Sequence, residues 1–203
     1  MSVSTAAPPQ LSSLDLRAAF AHVPQSVVLI GAEIAGAPAG LLASTFTVGV
    51  SLDPPLATVA VQHSSRTWPQ LREHPGHLGV SVLGGHQEHL PRQLATKDSV
   101  ERFAGVEYET NDDGALLLPD SPLRLSTRIY DQFPAGDHDV VVLEILGLST
   151  DSSQPGLVFH RSGFTPLASP EAQTTAERPS QGTAGSAAGA SGELQAHRAG
   201  RKA

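Results

Sequence analysis

Three stretches of this sequence carry residue types that do chemistry. The first is Ala43-Ser44-Thr45-Phe46-Thr47, where small and hydroxylated side chains follow an apolar run and precede a hard stop at Asp53-Pro54-Pro55. Small side chains at a strand junction let a flat ligand approach the backbone, whose N–H and C=O groups can read a polar ring edge. A plain β-hairpin with a tight corner accounts for the same residues equally well. The second is His63-Ser64-Ser65-Arg66-Thr67, set just before a helical pattern marked by Trp68, Pro69 and Leu71. Hydroxyls, free N–H groups and a guanidinium at a helix start form an anion site. An ordinary Ser/Thr cap is the plainer alternative. The third is Gly136-Asp137-His138, between two β patterns, where a lone histidine most simply faces solvent.

Other chemistry is poorly supported. Nine histidines invite a metal, and His74/His77 and His86/His89 are each spaced three apart. Only the second pair falls on a helical pattern, and no third ligand stands at metal spacing, so no metal is expected. The absence of cysteine removes disulfides and thiolate chemistry. There is no G-x-S-x-G elbow, Walker A loop or G-x-G-x-x-G fingerprint. A net charge of -7 with no basic footprint argues against nucleic acid. No run approaches the roughly 20 apolar residues of a membrane span. The opening MSVSTAAPPQ has neither a basic nor an apolar signal region, so a soluble cytoplasmic protein is expected.

The elements that must position these groups read mainly as strands. Residues 1–10 form a polar lead-in, and Leu11–Val23 a short helix capped by Ser13, with Leu16, Ala19, Phe20 and Val23 on one face. Ser26–Ile34 is continuously apolar at its centre, as a strand buried on both faces should be. A strand pair over 39–56, Leu56–Gln62 and His77–Leu83 follow, then a helix over Gly85–Thr96 with Leu90 and Leu94 inward. Leu123–Gln132 and Asp139–Leu148 read as a long hairpin whose tip carries His138, and Leu157–Phe164 as the last strand. Short connections favour an antiparallel barrel or sandwich over a βαβ fold. From Ala168 the composition falls to Ala, Gly, Ser, Pro, Gln and Glu, so 168–203 is expected to be a disordered tail after a domain over 11–167.

Taken together in order, these segments resemble the flavin reductase family with the FMN-binding split-barrel fold. The resemblance rests on Ser44-Thr45-Phe46-Thr47 with Ser51-Leu52-Asp53-Pro54-Pro55-Leu56, the cluster after Gln62, and Ala95-Thr96-Lys97-Asp98 with Arg102-Phe103. Gly136-Asp137-His138 and Phe159-His160-Arg161-Ser162-Gly163-Phe164 complete it. Leu41-Leu42 stands where the family often has Met-Thr, and Gln62 where it usually has Asn. The resemblance implies a mainly β, Greek-key-like antiparallel split barrel, homodimeric, that passes hydride from NADH or NADPH to FMN or FAD. Ala43, Ser44, Thr45, Phe46 and Thr47 would hold the flavin ring edge, with Gln62 at the ribityl chain or ring. Ser64, Ser65, Arg66 and Thr67 would hold the phosphate, with Lys97 balancing negative charge. His138 would lie by the reactive face, and Phe159, His160, Arg161 and Ser162 would shape the nicotinamide pocket. A flavin-dependent monooxygenase is the implied recipient of reduced flavin. A flavoenzyme that retains its flavin for an organic substrate and a non-catalytic flavin store are the rival readings.

Overall fold

Apolar, β-branched residues dominate two stretches of the chain, and both form central strands of the computed structural model, which describes residues 11–96 and 98–168. The chain enters through helix α1 (Ser13–Phe20) and strands β1 (Gln25–Ser26), β2 (Val28–Ile34), β3 (Ala37–Ala43), β4 (Thr47–Leu52) and β5 (Pro55–Gln62). Helix α2 (Trp68–Glu73) and strand β6 (Leu78–Val82) lead to the short helices α3 (Leu90–Leu94) and α4 (Ser99–Arg102). The rest is β: β7 (Glu109–Thr110), β8 (Leu116–Leu117), β9 (Leu123–Ala135), β10 (His138–Thr150), β11 (Leu157–His160) and β12 (Gly163–Pro166).

Seven strands form one sheet in the order β3-β2-β6-β9-β10-β5-β4, and every pairing in it is antiparallel. β3 and β4, adjacent in sequence, therefore end on opposite edges. The stretch between them is not a hairpin corner but the seam that brings the edges together. Thr45 Oγ1 donates to the Ala60 carbonyl (3.1 Å) and accepts from the Ala60 N–H (3.0 Å), so one hydroxyl closes the gap between the end of β3 and β5. The split β-barrel implied by the resemblance is the architecture found.

β2 shows why the seam can form. Val28 and Ile30 point into the barrel with Val59, Val80, Leu125, Val141 and Leu143, while Trp68 and Leu71 of α2 plug one end. Val27 and Leu29 point the other way, into a second cluster with Leu94, Phe103, Leu116 and Leu157. A strand buried on both faces needs apolar residues at every position, which is the continuous pattern read from the sequence.

Several boundaries differ from the expectations. Ser12, not Ser13, caps α1 by accepting from the Asp15 N–H (3.1 Å), and no residue of the helix is buried. Phe20 is 59% exposed, so the apolar face read over Leu16–Val23 is left largely uncovered among the described residues. The helix expected over Gly85–Thr96 is a three-residue 3₁₀ turn (Gly85–Gln87) followed by the five residues of α3. Gly84-Gly85 and Pro91 punctuate it: proline has no N–H to donate and is tolerated only in a first turn. The single last strand is two, β11 and β12, turned at Arg161-Ser162, where both residues have positive φ (49° and 63°). The hairpin of β9 and β10 is longer than read, pairing up to Ala135↔His138. The expected tail lies outside the described residues.

Candidate active site

The cavity opens where the seam, the end of β5 and the loop before α2 converge. Its volume is about 690 Å³, within the range of small-molecule sites. Leu41, Leu42 and Ala43 at the end of β3, with Ser44 and Thr45 of the crossover, form one wall. Ala60, Val61 and Gln62 of β5 form the next, continued by Ser64, Ser65, Arg66 and Thr67. Leu94, Ala95, Thr96 and Arg102 close the far side, and His138 borders the mouth. Register explains the last placement: His138 opens β10 directly opposite Gln62, and Asp139 opposite Val61. The His63 N–H also donates to the Asp137 carbonyl (3.0 Å), pinning the two loops together.

The charge of this lining is unlike that of the chain. Among the described residues no Asp or Glu contributes to it, whereas Arg66 and Arg102 both do, in a protein of net charge -7. Such a pocket favours an anion. The nearby carboxylates are engaged elsewhere. Asp137 Oδ1 lies 2.7 Å from His138 Nδ1, and that hydrogen bond, followed by the attraction of the imidazole, holds the Asp137 carboxyl below the usual carboxylate range. Asp139 Oδ1 meets His63 Nε2 at 3.1 Å while its Oδ2 accepts from Gln132 Nε2 at 2.8 Å.

Within the hydroxyl cluster the four residues divide. Ser65 Oγ accepts from the Trp68 N–H (3.1 Å) and is the cap of α2. Ser64 Oγ makes only a long contact to Gln62 Oε1 (3.4 Å), and Arg66 is exposed at the rim. Thr67 stands at the N-cap position with helical rather than extended backbone (φ -88°, ψ -34°) and makes no capping bond; its Oγ1 accepts from Arg102 Nη1 at 2.8 Å.

Nine of the residues expected at the site meet here: Ala43, Ser44, Thr45, Gln62, Ser64, Ser65, Arg66, Thr67 and His138. Phe46 instead packs against the barrel core, and Thr47 pairs with Thr58 on the edge strand. Phe159, His160, Arg161 and Ser162 sit on the β11–β12 hairpin, away from the lining. Lys97 lies outside the described residues. Leu41, Leu42, Ala60, Leu94 and Arg102 were not singled out for contact. Arg102 had a signal, the Arg-Phe pair after Lys97-Asp98, but the bonds that aim it come from residues 6, 35 and 62 positions away.

Residues 20–168 match the family described as flavin reductase like domain. The actinorhodin polyketide dimerase of Streptomyces coelicolor is 32% identical over 155 residues, covering 76% of this chain and 86% of that protein. The fold also matches the NADH:FAD oxidoreductase SgcE6 of Streptomyces globisporus C-1027, solved with NAD and FAD fragments. That match has a TM-score of 0.71 and 28% identity, over 78% of this chain and 94% of the other. BorF, the flavin reductase component of a bacterial two-component tryptophan halogenase, matches with a TM-score of 0.69 and 28% identity, over 77% of this chain and 98% of its own. A barrel closed at Thr45, a cavity whose described lining holds no carboxylate and a family match over residues 20–168 converge on one assignment: the chain belongs to the flavin reductase like domain family.

Proposed function

We propose that this protein is an NAD(P)H-dependent flavin reductase that takes FMN or FAD into the cavity between β3, β5 and the loop before α2. The observation that carries the reading is a cavity that brings the small and hydroxylated residues Ala43, Ser44 and Thr45 together with two guanidinium groups and, among its described lining residues, no carboxylate. A planar ring fits the first feature and a phosphate the second. When bound, the isoalloxazine ring supplies the capacity to accept hydride from a nicotinamide. The chain supplies binding and orientation. Ala43, Ser44 and Thr45 border the ring, Gln62 the ribityl chain, and Ser64, Arg66 and Thr67 the phosphate. His138, its Nδ1 held by Asp137, borders the side where the nicotinamide stacks. Phe159, His160, Arg161 and Ser162 would complete that side from the hairpin, and Lys97 would add positive charge.

We infer further that the protein works as a homodimer. Phe133 pairs with Val140, which pairs with Ala60, so all three share the sheet face that carries the cavity. Phe133 is 48% exposed there, whereas the exposed Leu52 of edge strand β4 pairs with Pro55 and so belongs to the other face of the sheet. A second copy would cover Phe133 and narrow the cavity mouth. Reduced flavin would pass to a separate monooxygenase, as suits a chain similar to component B of a nitrilotriacetate monooxygenase from Mycobacterium thermoresistibile (TM-score 0.70, 25% identity).

The test is anaerobic. Purified protein is mixed with excess FMN or FAD, NADH or NADPH is added, and the visible flavin band is followed. Bleaching of many equivalents per protein is the expected result. Bleaching limited to one bound equivalent would replace the reading with that of a flavoenzyme acting on its own organic substrate, the alternative favoured by the relative named as a polyketide dimerase. No bleaching despite binding would leave a flavin store.

A further inference from the structure

Arg102 ends α4 with a part-buried guanidinium that meets only neutral acceptors. Nε and Nη2 both donate to the Thr96 carbonyl (3.2 and 2.8 Å), and Nη1 donates to the Gly40 carbonyl and to Thr67 Oγ1 (2.8 Å each). Among the described residues no carboxylate pairs with it. One side chain thus ties together three walls of the cavity: β3, the loop before α2 and the segment after α3. The packing that holds it is tight. A Cβ on Gly40 would lie 2.9 Å from Cζ of Phe103, the residue next to Arg102, so the glycine lets α4 seat against β3.

Two consequences follow from this arrangement. A part-buried cation without a counter-charge is poorly compensated, and an anion in the adjoining cavity would supply what is missing. The second concerns Thr67. A hydroxyl has one proton and two lone pairs, and here the guanidinium occupies a lone pair. The Thr67 proton has no protein acceptor among the described residues, and the side chain lines the cavity. Arg102 therefore fixes that hydroxyl as a donor toward whatever occupies the space.

We propose that Arg102 is a positioning residue that acts through Thr67 to select flavins carrying a phosphate over dephosphorylated flavin. It aims the Thr67 hydroxyl at a phosphate oxygen and supplies the positive field that the phosphate needs. This rests on the flavin reductase reading and adds to it the reason a nucleotide, rather than the bare ring and ribityl chain, is the substrate. Arg66, exposed at the rim, is available to contact the phosphate directly, whereas Arg102 works from behind the wall.

The experiment compares FMN with riboflavin, which share a ring and differ by the phosphate. Dissociation constants and NADH-driven kcat/KM are measured for the wild type, Arg102→Gln, Arg102→Lys and Thr67→Val. Failure of the wild type to reduce either flavin would remove the underlying reading and leave the binding ratio to be judged by itself. In Arg102→Gln the preference for FMN should fall about tenfold or more, the usual worth of a charge-assisted contact, with riboflavin affinity changed less than about threefold. Arg102→Lys keeps the charge but not the fork, and should recover part of the preference. Equal weakening of both flavins would make Arg102 a structural clamp alone and overturn the proposal, as would an unchanged ratio. Should Arg102→Gln fail to fold, Thr67→Val decides: loss of part of the FMN preference supports the proposal, and an unaltered preference ends it.

Discussion

The cavity wall and the β11–β12 hairpin were both expected to bind cofactor, yet they are built in opposite ways. The wall is made from the ends of β3 and β5, brought together at the seam of the seven-stranded sheet and fixed by the Thr45–Ala60 bonds and by Arg102. The hairpin belongs to a separate three-stranded sheet and is tied to the exposed α1 region through Arg161 N–H to the Ala21 carbonyl (2.8 Å). Its turn places two non-glycine residues, Arg161 and Ser162, at positive φ. Such conformations cost about 1–3 kcal/mol each and persist where the surroundings impose them. The difference teaches that one chain suffices to shape the wall proposed to take the flavin nucleotide. The hairpin residues are not part of that lining.

The sharpest way to break the comparison is to overfill the wall and leave the hairpin alone. At Gly40 a new Cβ meets Phe103 Cζ at 2.9 Å, Leu29 Cδ1 at 3.0 Å and the Ile30 carbonyl at 3.2 Å. At Gly163 on β12 it meets only the His160 carbonyl, at an ordinary 3.6 Å. Gly40→Val should cost about 1–3 kcal/mol and lower Tm by several degrees, with flavin affinity falling as Arg102 is displaced. Gly163→Ala should stay within about 0.5 kcal/mol. Thermal unfolding of the two variants side by side checks this, and equal losses would mean that the wall is no more rigid than the hairpin.

His138 is the residue placed to report on both regions, since it borders the cavity and would face the nicotinamide. His138→Ala should lower kcat/KM for NADH roughly tenfold while leaving the flavin dissociation constant nearly intact. His160→Ala, on the hairpin, should show the same pattern with a smaller effect. Steady-state kinetics with flavin titrations separates the two terms. A matching loss of flavin affinity in His138→Ala would assign the residue to the wall instead.

Much of this organisation was legible in the chain, and the rest failed for identifiable reasons. The strands read over Ser26–Ile34 and Leu56–Gln62 announced themselves by β-branched, apolar runs and are found as β2 and β5. Ser64, Ser65, Arg66 and Thr67 are contiguous in the chain, and all four line the one cavity. The seam was ambiguous because nothing local distinguishes a hairpin corner from a crossover to the opposite sheet edge. That choice is made by Ala60, 15 residues from Thr45. The turn at Arg161-Ser162 carried no Gly or Asn to mark its left-handed backbone, so a hairpin read as one strand. Arg102 was read only as part of a segment that lies near the flavin in related proteins, because the bonds that aim its side chain run to partners as distant as Gly40, 62 residues away.

That unmarked turn offers a smaller and more discriminating test. Replacing Arg161-Ser162 by Asn-Gly supplies residues suited to positive φ at both positions and should stabilise the protein by about 1 kcal/mol. A rise in Tm of about 2–4 °C is the expected reading. If the hairpin takes part in nicotinamide binding, the stabilised variant should also show a raised KM for NADH with unchanged flavin affinity. A Tm gain with no kinetic change would make the hairpin purely structural.

The smallest effect sharpens the comparison at the mouth of the cavity, where Asp137 and His138 meet. The Asp137 carboxyl is held below its ordinary range, first by the hydrogen bond from His138 and then by the charge of the imidazole. A carboxylate depressed in the folded state contributes stability that is present above its unfolded pKa of about 3.9 and is lost as pH falls through the lower folded value. The contribution is therefore intact at neutral pH and disappears only in the acid limb. Asp137 is 89% exposed, so solvent screening keeps the stability term small, and the titration itself is the better observable. NMR of the Asp137 carboxyl should place its midpoint below the usual carboxylate range in the wild type and move it upward in His138→Ala. An unmoved midpoint would mean that the imidazole is not held by Asp137. Its orientation at the cavity mouth would then come from the strand register opposite Gln62 alone.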